Sequence, residues 1–182
     1  MAEAFSNPAG SSSVSVLFHP STVPVIDVFR SLRALESQYD LAVLDGPEQA
    51  LMAYARPELA KAIISDALLL AFALTRKRGQ PLCHQPLKSR HGSLDEYCLM
   101  ALIGSARSSE AQLAMEAAAA LKLGALDYVS SLAGELAKQL SLSSLIFGPP
   151  SLSEFRAVMG DRLPYEDLVR NPRNSPDFHF RF

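Results

Sequence analysis

The sequence predicts an all-α fold, and three observations predict it. Alanine (25) and leucine (28) dominate the 182 residues. Val, Ile and Thr number only 9, 5 and 2, too few for a chain built mainly of strands. Helix-start residues punctuate the chain, and the apolar residues between them recur at helical spacing. The length suits one well-cored domain. The expected architecture is a single-domain helical bundle of about five major helices, with short extra helices and an extended C-terminal tail.

Residues 1–13 are rich in Ser, Ala, Asn, Pro and Gly and read as a mobile N-terminal tail. The helical domain is placed at 14–170. Val14 to Phe18 could extend briefly, but the sequence offers such a strand no partner. Ser21 or Thr22 can cap a first helix with Pro24 in its first turn. Its stripe is Val25, Val28, Phe29, Leu32 and Leu35. Tyr39 to Leu44 is a connector. Asp45-Gly46-Pro47-Glu48 combines a cap, a first-turn proline and an acid at the positive helix end. That helix runs to about Ala55, and Pro57 interrupts it.

A long helix follows from Pro57 to Arg78, ended by Gly79 and Pro81. Residues 79–92 are a polar loop. Ser93-Leu94-Asp95-Glu96 fits a capping box and opens a helix apolar on all sides, which predicts a central position. Ser109-Glu110-Ala111-Gln112 is a similar start, and Gly124 a natural stop. Asp127 starts the next helix, with stripe Val129, Leu132, Ala133, Leu136 and Leu140. Ser151-Leu152-Ser153-Glu154 opens a small last piece after Pro149 and Pro150. A short helix is expected at Tyr165 to Arg170. Residues 171–182, with Phe178, Phe180 and Phe182 alternating, read as an extended aromatic tail expected to dock on the domain or on a second subunit.

The formal charge is −2 and the mean hydropathy +0.10. Neither value steers the chain toward nucleic acid or an anionic membrane. Weak charge and high hydropathy together suggest apolar surface covered by self-association. Two cysteines make no disulfide framework, and the N-terminus lacks the basic and apolar regions of a secretory signal. The most apolar run, Ala67 to Leu74, is far shorter than the roughly 20 residues of a membrane span. A cytoplasmic location is expected.

Several residues are candidates for chemistry. On a helical wheel with Leu59 at zero, Ile63 falls near 40°, Leu70 near 20° and Asp66 near 340°. The acid thus joins the apolar face, where burial would raise its pKa and suit it to act as base or ligand. The plainer role is a structural hydrogen bond. His84 and His91 lie in the loop, with Cys83 beside them and Cys98 one turn into the next helix. These are zinc-ligand types, but no Cys-x-x-Cys or His-x-x-x-His spacing exists, so no metal and no cofactor is expected. Cys83 with either histidine could be a nucleophile pair, but no third, orienting residue can be named.

The interval 76–91 holds five cations, Arg76, Lys77, Arg78, Lys88 and Arg90, and no acid. It could hold phosphate or a nucleic-acid backbone. The plainer roles are support of the helix C-terminus and a solvated loop. Stacking aromatics are missing there, which weighs against nucleic acid. The alanines 111, 114 and 117–120 permit close helix approach, within one chain or between chains. Phosphate-loop, dinucleotide, His-Glu-x-x-His, Glu-x-x-His and Gly-x-Ser-x-Gly motifs are missing.

The leading expectation is therefore a non-enzymatic helical interaction or regulatory protein, homo-oligomeric and with a protein partner. One alternative is an enzyme-like domain binding a small molecule or phosphate through the 76–91 loop and Asp66. Another is a nucleic-acid-associated regulator using the same cations.

Overall fold

The computed structural model describes residues 15–108 and 110–160 and places seven α-helices there. They are α1 (Val23–Gln38), α2 (Asp45–Leu51), α3 (Pro57–Arg78), α4 (Leu94–Ser108), α5 (Ala111–Ala120), α6 (Asp127–Ser141) and α7 (Leu152–Met159). The fold is all-α, as expected. The predicted N-terminal tail, the helix at 165–170 and the aromatic tail lie outside the described residues.

Helix α3 packs between α1 and α6, and α4 packs on α5 and α6. Val25, Val28 and Phe29 of α1 meet Ile63, Leu70 and Leu74 of α3 in one fully buried core, which continues through Leu99, Leu102 and Ile103 of α4. Glu96 through Ser105 are all buried, which gives α4 the central place its all-round apolarity predicts. Gly104 lets Pro149 pack directly on α4, because a Cβ there would collide with the proline ring.

Helix ends follow the sequence in part. Gly79 takes a left-handed φ of 66° and closes α3. Ser151 and Glu154 form a full capping box on α7. At α1, however, the hydroxyls of Ser21 and Thr22 do not cap. Both donate to the Ile146 carbonyl, at 3.1 Å each, and tie the start of α1 to the segment before α7. Lys122, not Gly124, takes the left-handed turn after α5.

The short strand without a visible partner has one. β1 (Val16–Leu17) pairs antiparallel with β2 (His91–Gly92), and the Phe18 N–H donates to the Arg90 carbonyl at 2.8 Å. Gly92 is required because the Phe18 ring lies against it. Two residues per strand are too short for any periodicity to announce them.

Candidate functional site

The loop 79–92 runs from the end of α3 to the start of α4. A loop this polar would ordinarily be solvated, yet buried acids and one buried arginine fasten it along its length. Arg30 projects from α1 with its side chain 1% exposed. Its Nε donates to Glu96 Oε1 at 2.7 Å and its Nη2 to Glu96 Oε2 at 3.0 Å, a two-pronged contact from α1 to α4. Its remaining donors reach Asp27 Oδ1 at 3.0 Å, the Ser89 carbonyl at 2.9 Å and the His91 carbonyl at 3.1 Å. Five bonds match the five N–H donors of a guanidinium.

Glu96 is fully buried and accepts from both sides. Besides Arg30 it receives the Gln85 N–H at 3.2 Å, the Ser93 N–H at 3.0 Å and His84 Nδ1 at 3.1 Å. Burial pushes its carboxyl up, but the Arg30 and His84 hydrogen bonds and the Ser93 amide outweigh burial and hold it down at about 2. Glu96 is therefore a carboxylate, and Nδ1 of His84 must carry the proton it donates. Asp27 takes the Lys88 N–H at 3.1 and 3.0 Å. Its carboxyl is raised, because burial outweighs the Lys88 amide and Arg30.

A second anchor lies beside the first. Asp95 accepts from Arg78 Nη1 at 2.9 Å and from the Cys83 N–H at 2.8 Å, and Ser93 Oγ donates to the Cys83 carbonyl at 2.5 Å. The capping box read at Ser93–Glu96 is present, with Ser93 Oγ accepting from the Glu96 N–H at 3.1 Å. The same acid thus caps a helix, pairs with Arg30 and holds the loop.

The sequence candidates do not converge on one site. Asp66 is half-buried where α3 meets α6. Burial raises its carboxyl, Glu135 adds to the rise, and a hydrogen bond from Gln139 opposes it. His84 lines a cavity of about 300 Å³ between α1, α3 and the loop, together with Leu32, Arg33, Glu36, Thr75 and Leu82. Neither Asp66 nor His91 lines that cavity. His91 is exposed on β2, with Nδ1 3.3 Å from Ser15 Oγ.

Cys83 is exposed and Cys98 buried. Burial pushes the Cys98 thiol up to about 12, so it behaves as a small apolar group against Met159. Among the described residues no cluster of three or more His, Cys, Asp or Glu could hold a metal ion. Of the five cations, Arg78 is drawn into the pair with Asp95, with its side chain 5% exposed. Arg90 Nε donates to the Phe18 carbonyl at 3.3 Å. Arg76, Lys77 and Lys88 remain exposed.

The sequence reading missed Asp27 and Arg30. A signal was present: they lie three apart and are the only charges between Val23 and Leu32, a stretch otherwise apolar or small. Their partner Glu96 looked fully explained as a cap.

A further surface lies on α3. Its outward face carries Glu58, Lys61, Ala62, Ser65, Leu69, Phe72 and Arg76. Leu69 is 49% and Phe72 41% exposed. Between Lys61 and Arg76 this face has no charge, and the neighbouring Asp66 turns toward α6. No helix of the described residues is long and apolar enough to cross a membrane. No protein-family model, curated protein or solved structure matches the chain.

Proposed function

We propose that the protein is a non-catalytic helical interaction module that works by self-association. The observation that carries this reading is the uncharged middle of the outward face of α3, between Lys61 and Arg76, where Leu69 and Phe72 stand half-exposed. Single exposed apolar residues are ordinary, but two large ones adjacent on one helix face form a patch. The buried ion-pair cluster supports the reading from the other side. It commits the hydrogen-bonding capacity of Asp27, Arg30 and Glu96 to holding a loop, so these groups are not offered to a substrate. The test is size-exclusion chromatography with light scattering across a roughly hundredfold range of concentration. Wild-type mass should rise toward a dimer, and Leu69→Glu with Phe72→Glu should hold it at the monomer. A wild-type chain that stays monomeric throughout removes the reading.

One observation favours a second reading, a small-molecule site. Glu96 binds Nδ1 of His84, and His84, whose Nε2 has no partner among the described residues, lines the cavity. Arg33, also on that cavity, has no partner among the described residues. Ligand-observed NMR with a fragment set tests it: hits abolished by His84→Ala support a site, and no hits on the wild type dismiss it.

A further inference from the structure

The two ends of the outward face of α3 are complementary when reversed, and we infer that its partner is the α3 of a second copy of this chain, crossing antiparallel about a two-fold axis that passes outside the helix at the height of position 67. This rests on the self-association reading and gives it a partner and a register. The residues decide the register. Glu58 and Arg76 are both exposed, lie in the same helical phase, and have no partner among the described residues. They are eighteen positions apart, about 27 Å along the axis. Turning a second α3 end for end about position 67 brings Glu58 of each copy level with Arg76 of the other.

The same operation treats the middle of the face consistently. It sets the large Leu69 and Phe72 of one copy against the small Ala62 and Ser65 of the other. A parallel pairing in register would instead oppose Glu58 to Glu58, Arg76 to Arg76 and Phe72 to Phe72. An isologous two-fold contact needs one patch to complement itself; antiparallel pairing meets that need at Glu58 and Arg76 and across the uncharged middle, with Lys61 at the margin of the strip, level with position 73 of the other copy. Large residues facing small ones let two helices close to about 8–10 Å. A contact made by one helix strip is modest beside the roughly 800 Å² per partner of a standard interface. The dimer should therefore be weak and reversible, in a micromolar range of Kd.

Charge reversal tests the register by sedimentation equilibrium on the full chain. Glu58→Arg alone should weaken dimerisation about tenfold, since it faces Arg76 of the other copy twice over. Arg76→Glu alone should do the same. The double variant Glu58→Arg with Arg76→Glu should return to within about twofold of wild type. In a parallel dimer the single reversals would change nothing, because like would still face like. A dimer that ignores the single reversals, or that the double variant fails to restore, overturns the antiparallel register and leaves self-association standing. A wild-type chain with no dimer overturns both. All four positions of the two charges are on the surface, and circular dichroism verifies that each variant is folded. A bismaleimide cross-link gives a second measurement. In a Cys83→Ser background, an equimolar mix of Glu58→Cys and Arg76→Cys chains should cross-link more than either alone. Equal or lower yield in the mix contradicts the register.

Discussion

Truncating Glu96→Ala gives the sharpest test of how the loop is held. The substitution leaves Arg30 inside the protein with its side chain 1% exposed and only Asp27 to balance it. Removing one member of a buried ion pair costs about 3–5 kcal/mol. The Gln85 N–H also loses its acceptor, at about 1 kcal/mol or more if it stays buried. The expected loss is about 4 kcal/mol, a large part of the 5–15 kcal/mol that stabilises a typical domain. The assay is urea unfolding followed by circular dichroism. With a slope of about 2 kcal/mol per molar urea, the midpoint should fall by about 2 M. Hydrogen exchange should show the Gln85 and Ser93 amides losing protection, while the Lys88 amide keeps its acceptor on Asp27. The double replacement Arg30→Met with Glu96→Leu separates two explanations. If the pair mattered only as two charges, the apolar swap would be near neutral. Because the Ser89 and His91 carbonyls and the Gln85 amide also depend on these side chains, the double variant should stay destabilised by about 2–4 kcal/mol. A Glu96→Ala loss under about 1 kcal/mol would refute the reasoning.

Acid should weaken the fold through the same group. The Glu96 carboxyl is held at about 2 in the fold against its ordinary 4.5, so its stabilising contribution is complete above pH 4.5 and is lost as pH falls toward 2. The difference corresponds to about 3 kcal/mol, and Glu96→Gln should flatten the acid limb of stability against pH. Asp27 runs the other way, since its raised carboxyl favours the fold at low pH and partly offsets the loss. Gly104→Ala should cost about 1–3 kcal/mol and shift the melting temperature down, because the new methyl displaces Pro149. Ser151→Ala should cost about 1 kcal/mol by removing the α7 cap, measured by thermal unfolding. Iodoacetamide at neutral pH should modify Cys83 and leave Cys98 untouched until the chain unfolds, as read by mass spectrometry.

Much of the fold was legible because helices announce themselves locally. The Pro57 start and Gly79 stop bracket α3, and the box at Ser151 starts α7, each through contacts within a few residues. Ser21 and Thr22 misled for the opposite reason. Their hydroxyls serve a carbonyl more than 120 positions away, which no local rule anticipates. The loop 79–92 drew attention for its cations, but what holds it was not legible. Its fastening depends on Arg30, 66 positions from Glu96, and on backbone groups whose partners only the folded chain brings near. Asp66 was placed on the apolar face by a wheel that cannot say which neighbour faces it. In the fold that neighbour is α6, with Glu135 and Gln139, so the acid sits at a seam rather than in the core. The expectation of self-association came from charge, hydropathy and the alanines at 111, 114 and 117–120. The proposal sets it on α3, where Leu69 and Phe72 are large apolar residues that the bundle leaves partly exposed.

Sedimentation equilibrium of the unmodified chain, run from low to high micromolar concentration, tests the central claim most directly. The weight-average mass should climb reversibly from 19.7 kDa toward twice that value. A mass that holds at 19.7 kDa over the whole range would contradict it.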